Sequence, residues 1–148
     1  MAVEAGFEYG NTIIWDKKSL GMGHRWRSRY ERILFMLKGN RARQLNDKSA
    51  RASDVLDYYA VRGDDSYPSE KPVDLMERLI TNSTDVGELV FAPFCGSAPC
   101  GEAALRNCRQ YLGIDNSEEA IERAMTRLCG VVETYSDFYN KFGFGEED

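Results

Sequence analysis

The stretch from Leu89 to Asp115, LVFAPFCGSAPCGEAALRNCRQYLGID, has the residue types and spacing to hold a nucleotide-like ligand. An apolar run leads into a glycine-containing loop, a short helix follows, and a second apolar run ends in an acid. A loop at the carboxyl end of a strand lets backbone N–H groups approach a ligand. An acid after the next strand can accept hydrogen bonds from ribose hydroxyls. The second chemistry-bearing segment is GHRWRSRYER, in which Arg25, Arg27, Arg29 and Arg32 alternate with Trp26 and Tyr30. Guanidinium groups neutralise phosphates and aromatic faces stack on bases, so this pattern is a candidate nucleic-acid contact, extended by Lys17, Lys18 and His24. The competing reading buries Trp26 and Tyr30 and pairs the arginines with acids elsewhere in the chain.

Charge is unevenly spread. The net value of −5 divides into +9 between Lys17 and Arg51 and −14 over the remainder. A basic block within an acidic chain points to a localised anionic partner rather than general adhesion. The four cysteines, Cys95, Cys100, Cys108 and Cys129, match no zinc-site spacing and are expected to be reduced packing residues, so no metal is expected. No run approaches a membrane span and no basic-then-apolar leader opens the chain, so a cytoplasmic protein without membrane contact is expected.

The elements that must position these residues can be read from periodicity and punctuation. Asn11 to Asp16 and Arg32 to Leu37 are strand candidates, and Val55 to Val61 a brief one. Pro72 to Thr81 carries Val73, Met76, Leu79 and Ile80 at helical spacing, with the proline in the first turn. A strand over Glu88 to Phe91, a helix over Gly101 to Asn107 and a strand over Tyr111 to Ile114 surround the loop. Ser117 caps a helix over Glu118 to Leu128. Tyr135, Phe138, Tyr139 and Phe142 suit one further helix, and Gly143 to Asp148 is expected to fray. The length suits one α/β domain: strands and the basic segment over residues 1–70, a ligand-cleft half over 71–129, and an aromatic then acidic tail over 130–148.

PSEKPVDLMERLI followed by VFAPFCGSAPCGEAALRNCRQYLGID resembles the bacterial and phage DNA amino-methyltransferases, which methylate the exocyclic amine of adenine or cytosine from S-adenosylmethionine. NTIIWDKKSLGMGHRWRSRYERILFMLKG resembles the region that follows their catalytic motif. The resemblance implies a partial Rossmann-like methyltransferase sheet with flanking helices. It places Ser69 and Lys71 at the cofactor's carboxylate end, Phe94, Gly96 and Ser97 in the loop around its methionine part, and Asp115 at its ribose. It also places the basic segment on the DNA side.

Several positions depart from the family pattern. Ala92 stands where the family has aspartate, Ala98 replaces the second loop glycine, and Cys108 replaces a glycine before Arg109. The first two count against tight binding of S-adenosylmethionine. The family holds its extruded target base with an Asp/Asn/Ser-Pro-Pro-aromatic motif, and this chain has no Pro-Pro pair. That motif is expected upstream of Gly6, so no catalytic residue is assigned. Mid-sheet strands are expected to be missing with it. The sheet is then completed by another chain, or its two edges pair directly. Three functions follow: a DNA methyltransferase-like protein inactive alone that binds DNA or protein, in the manner of a small phage modulator; the cofactor-binding subunit of a split enzyme; or an interaction module with a vestigial cleft.

Overall fold

A computed structural model describes residues 4–39, 52–63 and 66–142. The chain divides into two compact units, Met1–Arg62 and Gly63–Asp148. The first holds strands β1 (Phe7–Asp16), β2 (Tyr30–Lys38) and β3 (Val55–Asp57), and the second holds α1 (Val73–Ser83), β4 (Leu89–Ala92), α2 (Pro99–Arg106), β5 (Gln110–Gly113) and α3 (Glu118–Phe142).

In the first unit β1 is central, antiparallel to β2 and parallel to β3. The NTIIWD run was expected to start at Asn11, but the strand reaches back to Phe7 through an irregularity between Tyr9 and Asn11. β3 stops at Asp57, shorter than the expected run to Val61. Trp15 is only 2% exposed and forms the core here with Leu56. Its indole N–H donates to the Tyr58 carbonyl at 2.8 Å, so the one polar atom of the buried ring is satisfied.

In the second unit β4 and β5 form a parallel pair. One face carries Val90 and Tyr111, which pack with Val73, Met76 and Cys100 around buried Ile80, Ala103 and Ala104. The Tyr111 ring fits there because Gly101 and Gly113 leave room: a Cβ at Gly101 would sit 2.5 Å from Tyr111 Cε1, and one at Gly113 2.6 Å from its Oη. Tyr111 Oη is buried without a good hydrogen-bond partner, and burial pushes its pKa well above the usual phenol value. The opposite face, with Leu89, Phe91, Leu112 and Ile114, stays about half exposed. Parallel strands normally have both faces covered, so this pair presents an uncovered apolar face. Among the described residues β4 and β5 pair only with each other.

Helix boundaries differ from the sequence expectation at every helix: α1 ends at Ser83 rather than Thr81, and α2 spans Pro99–Arg106 rather than Gly101 to Asn107. Pro72 is the N-cap of α1 in extended conformation, not a residue of its first turn, because its fixed φ suits that position equally well. α3 begins where expected, with the Ala120 N–H bonded to Ser117 Oγ at 3.3 Å. It does not stop at Leu128 but continues through Gly130 to Phe142. One glycine costs a helix only about 1 kcal/mol, and tertiary contacts on both sides of it hold the helix: Arg127 makes ion pairs, and the Tyr135 hydroxyl donates to the Arg106 carbonyl at 2.8 Å. The expected fraying of 143–148 and the later part of the basic block, 40–51, lie outside the described residues.

Ala98 and Cys108, the two positions where the resemblance expects glycine, both have left-handed backbone, with φ of 56° and 59°. A side chain there costs roughly 1–2 kcal/mol. Cys108 is exposed, so Cys108→Gly should raise stability by about 1 kcal/mol in urea denaturation. Ala98→Gly relieves the same strain but removes a fully buried methyl, worth about 0.8 kcal/mol, and should be close to neutral. Gly101→Ala should lower stability by about 1–3 kcal/mol, the overpacking against Tyr111 outweighing the better helix propensity of alanine. An unchanged or higher urea midpoint for Gly101→Ala would contradict the assigned role of that glycine.

Candidate functional site

The loop from Pro93 to Ala98 joins β4 to α2 and is held from several directions. The Cys95 N–H donates to the Ile114 carbonyl at 2.9 Å, and the Ile114 N–H donates to the Ala92 carbonyl at 2.9 Å, extending the β4–β5 pairing into the loop. Gly96 takes a φ of 53° and donates its N–H to Asp115 Oδ2 at 2.8 Å. The other carboxylate oxygen of Asp115 accepts from the Ser117 N–H at 3.1 Å. These N–H bonds, from Gly96 first and then Ser117, hold the Asp115 pKa below its ordinary value. The carboxylate is thus ionised and acts only as an acceptor. Its hold on the loop persists through the ordinary carboxylate range and is lost only as pH falls below it.

The hydroxyl of buried Ser97 donates a hydrogen bond to Glu70 Oε2. Glu70 Oε1 accepts from Arg127 Nη2 at 2.8 Å, and Arg127 Nη1 reaches Glu102 Oε2 at 2.9 Å. Arg106 closes the chain on the other oxygen of Glu102. Two acids and two guanidinium groups alternate, so the charges cancel locally while tying the Pro-Ser-Glu-Lys-Pro segment, the loop, α2 and α3 together. The Tyr67 ring lies against Gly96, where an added Cβ would meet its Cε1 at 3.2 Å.

Among the six residues expected at the cofactor, the structure joins Gly96 to Asp115 by a hydrogen bond, while Ser97, next in the loop, bonds Glu70 instead. Phe94, at 90% exposure, stands at the loop's outer rim. Ser69 is exposed with a φ of 60°, and Lys71 is half-buried beside it in sequence. Glu70, Tyr67 and Arg127 were missed by sequence reasoning. An acid between two expected ligands reads as a solvated loop residue, and Arg127 reads as a charge near a helix end. Only the tertiary fold makes them partners.

The residues present suit the nucleoside end of S-adenosylmethionine better than the amino-acid end. An open depression of about 310 Å³ lies beside Asp115, lined also by Asn116, Ser117, Glu118, Ile121 and Glu122. An ionised carboxylate has about four acceptor sites, and Asp115 uses two with Gly96 and Ser117, so ribose hydroxyls can still bond to it. Ala98 is fully buried, so its methyl group does not crowd a ligand; its effect is confined to backbone strain. At the amino-acid end, Ala92 offers no acceptor for an ammonium group. Among the described residues no group of three or more His, Cys, Asp or Glu is arranged to hold a metal ion, and no helix is long and apolar enough to cross a membrane.

The basic segment lies in the first unit, mostly in the 17–29 connection between β1 and β2. Its charges are not equivalent. Lys17 pairs with Glu31 at 3.3 Å, Lys18 with Asp57 at 2.8 Å, and Arg29 makes two 2.7 Å bonds to Asp16. Arg27 donates from Nε to the Gly21 carbonyl at 2.7 Å. Among the described residues His24, Arg25 and Arg32 have no side-chain hydrogen bond or ion pair. Trp26 is 97% exposed and Tyr30 about half exposed, so the reading in which both rings are buried does not hold.

Comparison with known proteins agrees with this geometry. Type II methyltransferase M2.DpnII of Streptococcus pneumoniae is 40% identical over 68 residues, 46% of this chain and 25% of its own. Type II methyltransferase M2.MboI of Moraxella bovis is 31% identical over 115 residues, 78% of this chain and 39% of its own. The crystal structure of M1.HpyAVI in complex with S-adenosylmethionine superposes with a TM-score of 0.72 at 26% identity, over 85% of this chain and 65% of that one. The chain thus spans between a quarter and two-fifths of these two curated relatives, and its fold is that of the Rossmann-like methyltransferases. The family model for the N6/N4 DNA methylases matches residues 1–126, and the chain belongs to that family.

Proposed function

We propose that this chain is a cofactor-cleft and DNA-contacting portion of an amino-methyltransferase fold, and that it does not methylate DNA by itself. The observation that carries the reading is the loop at 93–98, held over Asp115 in a chain that has no Pro-Pro pair to grip a target amine. S-adenosylmethionine, when bound, supplies an activated methyl group. Asp115 receives its ribose hydroxyls, and the Gly96–Ser97 backbone, Phe94, Ser69 and Lys71 surround its amino-acid part. Lys17, Lys18, His24, Arg25, Trp26, Arg27, Arg29 and Arg32 face DNA in this reading, with Arg25, Arg27 and Arg32, which meet no carboxylate among the described residues, contributing most of the net charge. Action in the cytoplasm, where such DNA is reached, fits the same picture.

The uncovered face of β4–β5 favours a second component. Leu89, Phe91, Leu112 and Ile114 are apolar, and among the described residues the two strands are each paired on one side only. A protein partner or a second copy that supplies further strands would bury this surface. If that partner carries the Pro-Pro-aromatic motif, the assembly is a working split enzyme. If it does not, the chain acts as a modulator that binds DNA or protein.

Titration calorimetry with S-adenosylmethionine and its demethylated product tests the cleft. The wild-type chain should bind weakly, and Asp115→Ala should bind more weakly still. Ala92→Asp restores an acid at the amino-acid end and should tighten binding by about ten- to a hundredfold, the range for one charge-assisted hydrogen bond of roughly 1.5–3 kcal/mol. Absence of heat at millimolar ligand in both wild type and Ala92→Asp would make the cleft vestigial. Methylated DNA produced by the purified chain alone would refute its catalytic incompleteness.

A further inference from the structure

The tip of the β1–β2 connection leaves its largest aromatic side chain in water. Gly21 and Ser28 close the base of this tip through an N–H to carbonyl bond of 2.8 Å, and the Lys17 N–H bonds the Arg29 carbonyl at 3.0 Å one step below. Between them, Met22 is 99% exposed and Trp26 97% exposed. A tryptophan side chain normally buries on the order of 150–250 Å². The chain's other tryptophan, Trp15, is buried and hydrogen-bonded. The tip indole contributes nothing comparable to packing.

The charges around it are sorted by height on the connection. At the base, Lys17, Lys18 and Arg29 are neutralised by Glu31, Asp57 and Asp16. At the tip, His24 and Arg25 have no side-chain partner among the described residues. The Arg27 guanidinium is fixed in place through Nε while its outer nitrogens remain available. An exposed indole thus sits with two guanidinium groups, Arg25 and Arg27, that meet no carboxylate among the described residues. A flat apolar face bordered by guanidinium groups matches a nucleobase with its flanking phosphates.

We infer that Trp26 is a stacking platform for an unpaired nucleobase, with Arg25 and Arg27 on the adjoining phosphates, so that the tip prefers DNA with an unstacked nucleotide over a fully paired duplex. This rests on the proposed DNA contact and gives it a ligand class. A base within an intact duplex offers no free face, whereas any base displaced from the stack does. Stacking on one aromatic is tolerant of base identity, so the tip senses the unpaired state and not a sequence.

The test uses the whole chain, with intrinsic tryptophan fluorescence and anisotropy of labelled DNA read together. The probes are a short oligothymidylate, a fully paired duplex, and the same duplex with one extrahelical thymidine, each at two salt concentrations. Oligothymidylate and the extrahelical duplex should quench wild-type fluorescence and bind more tightly than the paired duplex. Trp26→Ala should weaken binding to both by about tenfold, leave the paired duplex within about twofold, and abolish the quenching, while Trp26→Phe retains most of the affinity. Arg25→Ala should weaken all three probes and flatten the salt dependence. Equal affinity of Trp26→Ala and wild type for the unpaired probes would overturn the platform while leaving a DNA contact intact. If wild type binds none of the probes, the DNA contact fails along with it.

Discussion

Two carboxylates hold the loop at the end of β4, and the rest of the site follows from their grip. Asp115 takes the Gly96 N–H from the β5 side, and Glu70 takes the Ser97 hydroxyl from the segment before α1. The loop backbone turns through a positive φ at Gly96, which glycine adopts readily, and again at Ala98, where a non-glycine residue needs surrounding contacts to hold it. Both acids have counter-groups in turn: backbone N–H groups for Asp115, and the Arg127 guanidinium for Glu70. The Glu70 pair is largely buried, where removing one partner leaves an uncompensated charge and costs far more than the pair itself contributes. The arrangement gives the loop one position more than it gives the unit stability.

Electrostatics in the first unit follow a different logic. The large positive block in the sequence overstates what is available to a partner, because the cations nearest the sheet are used within the fold. Arg29 with Asp16 is the clearest case: a planar guanidinium meets a carboxylate with two bonds, and this lowers the Asp16 pKa and raises that of Arg29. Among the described residues between Lys17 and Arg32, the cations that meet no carboxylate are Arg25 and Arg27 towards the tip and Arg32 on β2.

Much of the fold was legible in the sequence because it is written in local signals. Apolar runs bounded by glycine, proline and acids gave β1, β2, β4 and β5, and Ser117 marked the start of α3. What was not legible depends on contacts between distant residues. Nothing local distinguishes Gly130 as a mid-helix glycine from Gly130 as a terminator; the Tyr135–Arg106 bond across 29 positions does that. The loop residues and Asp115 could be placed from motif order alone, and the structure joins them directly. Glu70 could not, since a glutamate between two loop residues has no signature until Ser97 and Arg127 converge on it. The exposure of Trp26 was open for a similar reason. A tryptophan among arginines suits a core or a surface equally, and the burial of Trp15 is what shows that the core of this unit is filled without it.

The departures from the family pattern divide by whether they touch backbone or side-chain chemistry. At Ala98 and Cys108 glycine is gone, yet both residues keep the left-handed backbone that glycine would take most easily. The fold tolerates the strain because the surrounding hydrogen bonds fix the turns: the Ala98 N–H bonds the Cys95 carbonyl, and the Cys108 N–H bonds the Leu105 carbonyl. Ala92 is of the other kind, since no rearrangement of neighbours gives a methyl group an acceptor oxygen. A shape can be kept by redundancy among many weak contacts, whereas a single missing acceptor has no such substitute. For that reason the loop keeps its outline around Asp115, while position 92 lacks the acceptor that the family pattern places there.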